Sequence, residues 1–240
     1  MKRSVLGVLS VLVASLAMAA QASAAPCIPT DYMQDGRPLT AQQVNPAAVT
    51  GIVDATGCDI AVYFNDGATH TVSGATIENS FYYGILTRNP GTTANISNSE
   101  IRFIGDAVGG TFIPTGAQHG VGAAWRGGSA GTLDTTYVHQ YQKNGVLVAN
   151  PGTNVTVSNS HVQGLGPVMF IAQNGVQYSD HSAGDVRGNL IEDNEYTGPQ
   201  NTFSTGLLLF DIEPPDIKRS LNHYRGDDRN EVVIPSSSLK

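Results

Sequence analysis

Five residues near the middle of the chain have side chains that can transfer a proton or bind an anionic group. One residue separates Glu100 from Arg102, one separates Tyr137 from His139, and His161 follows 22 residues later. A guanidinium can neutralise the carboxylate of an acidic sugar, and a phenol or an imidazole can take or give a proton. Glu100, Arg102, Tyr137, His139 and His161 are therefore the candidate catalytic residues, provided that the fold brings them together.

A hydrolytic reaction would need a second carboxylate beside Glu100, which Glu78, Asp106 or Glu192 can supply. The alternative is that these residues are ordinary surface charge, because the exposed side of a sheet carries polar residues anyway. No group of aspartates recurs at the spacing of a calcium site, so no metal or other cofactor is expected.

A repeat of three apolar anchors predicts the elements that position these residues. The second anchor follows the first by five residues in every unit, the third follows a glycine, and an uninterrupted unit has about 24 residues. The first anchors are Val72, Ile96, Leu133, Val157 and Val186, the second are Ile77, Ile101, Val138, Val162 and Ile191, and the third are Ile85, Val121, Val146, Val176 and Leu207.

Each unit predicts three short strands, since the chain is rich in Val, Ile and Thr and has 27 glycines. Stacked units pair every strand with its equivalents above and below, and the anchors form apolar columns. Gly74, Asn98, Asn159 and Gly188 lie between the first and second anchors and predict turns with positive φ. The sequence thus predicts an all-β, single-stranded right-handed parallel β-helix of about five to six turns. A β-sandwich would not keep one offset through five units.

Several stretches resemble secreted right-handed parallel β-helix proteins of the pectate-lyase-like superfamily, and especially a group of bacterial exported members. The stretches are residues 54–60 (DATGCDI), 118–122 (QHGVG), 141–145 (YQKNG), 164–167 (GLGP) and 170–177 (FIAQNGVQ). The resemblance implies the fold. It implies the chemistry only loosely, since this superfamily includes polysaccharide lyases, glycoside hydrolases, epimerases and non-catalytic surface proteins.

Residues 1–25 predict a secretory signal peptide and hence a secreted or periplasmic protein. Lys2 and Arg3 precede an apolar run over residues 5–16, and residues 22–24 (ASA) form a small-residue cleavage site. A lone transmembrane helix is the alternative, but the apolar run is too short, and no later segment could span a membrane.

The mature chain is predicted to have three parts: an N-terminal cap over 26–52, the parallel β-helix over 53–211, and a C-terminal cap and tail over 212–240. Cys27 and Cys58 are the only cysteines, and an even pair in an oxidising compartment predicts a disulfide. A metal site built on two cysteines would need partners that are missing at ligand spacing.

The composition argues against one class of partner. The chain has 13 basic and 20 acidic residues, a formal charge of −7, whereas nucleic-acid binding needs clustered Lys and Arg. The expected partner is a polysaccharide or a cell-surface glycan, and the protein is expected to be a monomer.

Insertions predict where such a glycan binds. The second anchor precedes the third by 8 residues in two units, but by 20, 14 and 16 residues after Ile101, Val162 and Ile191. These loops would wall a groove along one edge; the alternative is that corners simply tolerate added length. The candidate substrate-binding residues near this corner are His119, Tyr141, Lys143, Gln173, Tyr196, Glu192 and Asp106.

Lys143 and Gln173 are expected to point toward the groove, and the tyrosines suit stacking on sugar rings, with packing under loops as the alternative. The sequence therefore favours a β-helix that binds a polysaccharide in a lateral groove and acts as a lyase, hydrolase or epimerase. The competing hypothesis is a non-catalytic adhesin-like or carbohydrate-binding β-helix. A third, an accessory protein for metal-site maturation, is disfavoured because clusters of Cys and Met are lacking.

Overall fold

The structure is a computed structural model that describes residues 26–239, so the predicted signal peptide lies outside the described residues. Within this range the chain forms 23 strands and two short 3-10 helices, η1 (Pro214–Asp216) and η2 (Ser236–Ser238). The strands are β1 (Ile28–Gln34), β2 (Arg37–Val44), β3 (Ala48–Asp54), β4 (Ile60–Phe64), β5 (Thr69–Glu78), β6 (Tyr83–Arg88), β7 (Thr93–Ser97), β8 (Glu100–Arg102), β9 (Ala107–Val108), β10 (Thr111–Phe112), β11 (Val121–Arg126), β12 (Ala130–Asp134), β13 (Tyr137–His139), β14 (Asn144–Ala149), β15 (Asn154–Ser158), β16 (His161–Val168), β17 (Asn174–Ser179), β18 (Ala183–Arg187), β19 (Leu190–Tyr196), β20 (Thr205–Phe210), β21 (Ile217–Ser220), β22 (His223–Arg225) and β23 (Arg229–Ile234). Neither 3-10 helix, nor any other helix in this part of the chain, has the length and apolar character needed to cross a bilayer.

The strands stack in parallel into the three sheets of a β-helix. Sheet I contains β2, β4, β6, β11, β14, β17, β20 and β23, with β1 antiparallel to β2 at its edge. The other large sheet is divided within β5, because residues 69–73 pair with β7 and residues 76–78 pair with β8. We call the part with β7, β12, β15, β18 and β21 sheet II, and the part with β8, β13, β16, β19 and β22 sheet III. The predicted all-β parallel β-helix is confirmed.

The apolar anchors hold the sheets together from inside, as the repeat predicts. In sheet II, Val72, Ile96 and Leu133 are in register, and in sheet III the five second anchors are aligned in the same way. All of these side chains are buried. The prediction of Val121 as a third anchor is wrong, because Ala123 is the residue that is aligned with Ile85 and Val146. The rule that a third anchor directly follows a glycine still holds, but the glycine in this unit is Gly122 rather than Gly120.

A column of glycines runs through sheet I, one residue before each third anchor. A Cβ on Gly122 would lie 2.5 Å from the Gly145 carbonyl oxygen, and a Cβ on Gly145 would lie 2.6 Å from that of Gly175. Gly84 and Gly175 make the same approach to the next turn. Real Cβ atoms do not come this close to a carbonyl oxygen, so the column needs glycine for space rather than for its φ.

The corners between the sheets repeatedly pass through the left-handed region of φ. Between sheets II and III the predicted residues Gly74, Asn98, Asn159 and Gly188 have positive φ, and Thr135 (47°) and Leu221 (56°) continue the series. Between sheets III and I the equivalent residues are Asn79, Phe103, Gln140, Asp193 and Gly226. Asn and Gly adopt this conformation at little cost, whereas a leucine or a phenylalanine there is an outlier.

Parallel stacking extends beyond the predicted bounds of the β-helix at both ends. β2 and β3 already pair with β4 and β5, and β21, β22 and β23 pair with the strands of the preceding turn. The strands make seven turns from β2 to β22, more than the five to six predicted, because both terminal segments join the stack. β1 lies against the outer side of sheet I, where the Tyr63 hydroxyl donates to Asp31 and the Tyr83 hydroxyl donates to Gln34.

The predicted disulfide is present and joins the N-terminal segment to the turn before β4. Cys27 and Cys58 are bonded, with their Cα atoms 5.6 Å apart and a sequence separation of 31. The bond holds the start of β1 against a buried residue, since Cys58 has no exposed surface.

Replacing both cysteines by serine is expected to destabilise the N-terminal turns by about 3–4 kcal/mol, because the unfolded chain regains the entropy of a 31-residue loop. Hydrogen exchange should show the loss in β1, β2 and β4 first, since neighbouring turns of a solenoid unfold in sequence. Unchanged protection of these strands would contradict the prediction. The oxidised wild-type protein is the control.

The last turn contains a carboxyl group whose pKa is unusual. Asp227 Oδ1 accepts hydrogen bonds from the main-chain and side-chain nitrogens of buried Asn194, whose Oδ1 atom accepts one from the Tyr141 hydroxyl. Asp227 Oδ2 lies against Gly206 and is buried without a hydrogen-bond partner in the described residues. Burial raises the pKa of Asp227 to about 6, although the bonds from Asn194 oppose the shift.

Asp227→Asn is expected to stabilise the protein at pH 8 and not at pH 4. The folded carboxyl loses its proton near pH 6 and the unfolded one near pH 3.8, so wild-type stability falls as the pH rises through this window. An asparagine keeps the oxygen that Asn194 needs and removes the charge. Because solvent partly screens the charge of Asp227, the gain in the free energy of unfolding at pH 8 is expected to be about 2 kcal/mol. Urea unfolding of both proteins at the two pH values measures it, and equal stability at pH 8 would contradict it.

Candidate functional site

The outer side of sheet III carries a continuous strip of ionisable and aromatic side chains. The five candidate catalytic residues lie on it because β8, β13 and β16 are in register and every second side chain faces outward. Tyr137 is aligned with Glu100 on one side and with His161 on the other. We call this the sheet III strip, and its members are Glu78, Glu100, Arg102, Tyr137, His139, His161, Gln163, Glu192 and Arg225.

Arg102 is held between two carboxylates. Its Nε atom donates to Glu78 Oε2 at 2.8 Å, and its Nη1 atom donates to Glu100 Oε1 at 3.1 Å. Burial acts to raise the pKa of Glu100, but the hydrogen bond from His139 and the charge of Arg102 outweigh it and hold this pKa below its usual value. Glu100 is therefore ionised at neutral pH, and it is unsuited to be the general acid of a hydrolase.

Two histidine–glutamate pairs flank Tyr137. His139 Nε2 lies 2.9 Å from Glu100 Oε1, and His161 Nε2 lies 2.8 Å from Glu192 Oε1. Because Glu100 is ionised, the Nε2 atom of His139 is the one that donates to it, and in the neutral ring the lone pair then lies on Nδ1. His139 therefore has the arrangement of a general base that is oriented by a carboxylate.

Tyr137 is sandwiched between the two imidazoles. Its ring centroid lies 4.0 Å from that of His139 and 4.6 Å from that of His161, with all three rings nearly parallel. The hydroxyl donates to Gln163. Burial and the charges of Glu192 and Glu100 raise the pKa of Tyr137, so the phenol stays protonated and can act only as a proton donor.

Arg225 completes the strip at its C-terminal end. It forms an ion pair with the second oxygen of Glu192, whose side chain is almost fully buried. Sequence reasoning missed Arg225 because it lies in the segment assigned to the C-terminal cap. The signal that could have found it is the five-residue offset between first and second anchors. Arg219 and Tyr224 occupy these two positions, although Arg219 is not apolar.

Two of the predicted substrate-binding residues do not face a groove. Tyr141 has no exposed surface and packs in the core, with its hydroxyl bonded to Asn194. Gln173 is also fully buried, and its amide donates to the Tyr141 carbonyl and accepts from the Leu165 amide. The expectation that Gln173 points outward is wrong, because its amide satisfies main-chain groups at the base of the second insertion.

Lys143 and Tyr196 are tied to the insertions. The Lys143 ammonium donates to the Ala172 carbonyl, and burial lowers the pKa of this lysine. Tyr196 is nearly buried, and its hydroxyl accepts a hydrogen bond from the main-chain nitrogen of Gln200. Both side chains thus support the loops that the sequence predicted as walls.

His119 and Asp106 meet within the first insertion. His119 Nε2 lies 2.8 Å from Asp106 Oδ1, and the His119 ring lies 4.4 Å from that of Tyr82. These residues line a cleft of about 470 Å³ with Arg37, whose guanidinium is bonded to Asp59. The sequence pointed to His119 and Asp106 separately, but only the hairpin of β9 and β10 brings them together.

The three insertions do not stand apart as separate walls. A Cβ on Gly116 of the first insertion would lie 2.9 Å from the Phe170 carbonyl oxygen of the second. Thr197 of the third donates to the Val168 carbonyl of the second. The insertions therefore form one continuous ridge beside sheet III. Residues 26–239 contain no cluster of three or more His, Cys, Asp or Glu side chains that could hold a metal ion.

Comparison with known proteins identifies the family. Residues 47–210 match the family model described as a right-handed beta helix region. Among solved structures, the chain is similar to the A-module of mannuronan C-5 epimerase AlgE6 from Azotobacter vinelandii, with 14% identity and a TM-score of 0.22. That similarity covers 81% of this chain and 54% of the module, so the chain spans about half the length of this relative.

A second similar structure is QnrB1, a plasmid-mediated fluoroquinolone resistance protein, with 9% identity, a TM-score of 0.20 and coverage of 76% of this chain and 90% of that one. With TM-scores this low, neither structure bears on the function of the chain. A search of curated protein sequences found no match. The family model, by contrast, spans more than half of the chain and agrees with the parallel stacking of the three sheets. The chain belongs to the right-handed β-helix family.

Proposed function

We propose that this chain is an exported, monomeric β-helix protein that binds a polysaccharide along the sheet III strip and moves a proton on a bound sugar. The observation that carries the proposal is the pairing of His139 with ionised Glu100 beside the protonated phenol of Tyr137. A base and an acid in adjacent positions suit removal of a proton next to a carbonyl, followed by elimination or by return of a proton to the opposite face.

The charges of the strip favour one kind of sugar. Such a proton is acidic only in a uronic acid or its ester, because the carbonyl group must stabilise the negative charge that develops. Glu78 and Glu100 already balance Arg102, and Arg225 contacts the buried Glu192. With three carboxylates and two guanidiniums, the strip gains little from a densely charged polymer, so the proposed substrate is an esterified polyuronate.

A specific observation favours a second candidate function, a non-catalytic glycan-binding surface. Every charged member of the strip has a partner of opposite charge, and the rings of Tyr137, His139 and His161 stack on one another. A rigid polar surface whose charged groups are already paired can bind hydroxyl groups without reacting with the sugar.

Turnover on matched polymers distinguishes these functions. The mature chain should be incubated with polygalacturonate of high and of low methyl esterification, and with neutral glucans. The assays are ultraviolet absorbance of unsaturated uronates, reducing ends, and solvent deuterium incorporation by NMR. Reaction on the esterified polymer supports the enzyme, binding without reaction supports the second function, and neither binding nor reaction overturns both. N-terminal sequencing of the secreted protein tests export, with a new N-terminus just after the small-residue segment at residues 22–24 as the expected result.

A further inference from the structure

The corner between sheets III and I contains one residue that its backbone conformation does not suit. Phe103 has a φ of 55°, whereas the equivalent residues of other turns are Asn79, Gln140, Asp193 and Gly226. A bulky residue in the left-handed region costs about 1 kcal/mol or more, and strain of this kind is often retained for function.

The Phe103 ring lines a small pocket between the β9–β10 hairpin and the turn after β3. The pocket has a volume of about 130 Å³, and its apolar walls are the rings of Phe81, Phe103 and Phe112. Thr56, Gly57, Asn79, Gly109 and Gly110 also line it, and the Thr56 hydroxyl and the Asn79 amide nitrogen both donate to Asp54 Oδ1. Since pockets for drug-sized ligands have volumes of about 300–1,000 Å³, this one has room for about one ring.

The pocket is continuous with the sheet III strip. Asn79, Phe103 and Gln140 directly follow Glu78, Arg102 and His139 in the chain, and together they line the adjoining pocket, of about 350 Å³, with Phe112. The guanidinium of Arg102 lies 5.4 Å from the centre of the Phe103 ring. A polymer that crosses the strip at His139 would therefore place a neighbouring sugar beside Phe103.

We infer that this pocket, which we call the phenylalanine subsite, binds one uncharged sugar ring of the glycan. Flat phenyl rings suit the C–H face of a pyranose, and the polar residues Thr56 and Asn79 suit its hydroxyl groups. The inference rests on the proposed function, because it assumes that a glycan lies on the strip. Phe103 supplies one aromatic wall at the cost of backbone strain.

The test separates the loss of the Phe103 ring from the relief of its backbone strain. Binding of a methyl-esterified galacturonate hexamer and of cellohexaose is measured by calorimetry for the wild type, Phe103→Tyr, Phe103→Leu and Phe103→Asn. Tyr keeps the flat ring and should bind within about threefold of the wild type. Leu and Asn should each lose at least about tenfold in affinity. Melting temperatures are measured in parallel, and that of Phe103→Asn should stay within about 3 °C of the wild type because asparagine tolerates this φ.

Leu221→Asn is the matched control. It relieves the same kind of backbone strain at the corner between sheets II and III, where Leu221 is 82% exposed. It should therefore raise the melting temperature and leave binding unchanged. If the wild type binds a hexamer and Phe103→Leu binds it equally well, the phenylalanine subsite is overturned and the proposed function stands. If the wild type binds neither hexamer, both are overturned. If Phe103→Asn fails to fold, the comparison of Tyr with Leu still decides the question.

Discussion

Gly145→Ala is expected to destabilise the middle of the solenoid by at least about 3 kcal/mol. The added Cβ would lie 2.4 Å from Val162 Cγ1, 2.6 Å from the Gly175 carbonyl oxygen and 2.9 Å from the Tyr141 ring. None of these atoms can move freely, because Val162 and Tyr141 are buried and the carbonyl belongs to the next strand of sheet I. The turns must separate, which disturbs the hydrogen bonds between β14 and β17.

Thermal and urea unfolding measure this effect, and a fall in melting temperature of about 6–12 °C is expected for a domain of this size. Gly67→Ala is the control, since Gly67 has a φ of 77° and open space where its Cβ would be. It should cost only about 1 kcal/mol, the strain of an alanine in the left-handed region. If the two variants lose the same stability, the carbonyl contact is not what requires glycine at position 145.

His139→Ala is expected to lower the turnover of an esterified polyuronate by about 10²- to 10⁴-fold, with a small change in KM. The substitution removes the nitrogen base whose orientation depends on Glu100. Because His139 lies on the outer side of sheet III and does not contribute to the core, the circular dichroism spectrum and the melting temperature should change little.

His181→Ala is the matched control for this substitution. His181 is also a histidine near a carboxylate, with Nε2 3.8 Å from Asp211, but it lies at the corner between sheets I and II and is 56% exposed. It should leave turnover unchanged. If the wild type reacts and His139→Ala keeps more than a tenth of its activity, His139 is not the base.

Much of the fold could be predicted because the anchors obey a simple rule of burial. Ile77 and Ile101 are apolar because each must fill an interior column, and the offset of five residues follows from two short strands joined at one corner. The C-terminal end was assigned to a cap because its interior positions break this rule. Arg219 is aligned with Val186, and Glu231 with Leu207, since a terminal turn is covered on one side only and tolerates polar groups.

The register of β11 was misplaced for a different reason. Residues 118–122 (QHGVG) contain two glycines, Gly120 and Gly122, and each is followed by a residue that could be an anchor. The apolar pattern preferred Val121 to Ala123. The contact that decides the register is the close approach of Gly122 to the Gly145 carbonyl, which depends on the neighbouring turn.

The sheet III strip could be predicted because alternation along short strands is enough to place outward residues next to one another. The buried state of Gln173 and Tyr141 could not, because a polar side chain in an insertion can satisfy main-chain groups as readily as it can face solvent. The phenylalanine subsite was missed since Phe103, Phe81 and Phe112 come together only through the path of the β9–β10 hairpin. No periodicity in the sequence encodes that path.

The alignment of successive turns determines how this protein can change in length. Each turn returns the chain to the same position one strand spacing higher, so residues 133–156 could be removed as a block and Val157 would then be aligned with Ile96. Such a deletion would preserve the interior columns and place His161 beside Glu100, with Tyr137 and His139 lost. Removal of part of a turn from within its strands would turn apolar side chains out of the interior. The architecture therefore permits the gain or loss of whole turns, which keeps the scaffold and changes the set of side chains on its outer surface.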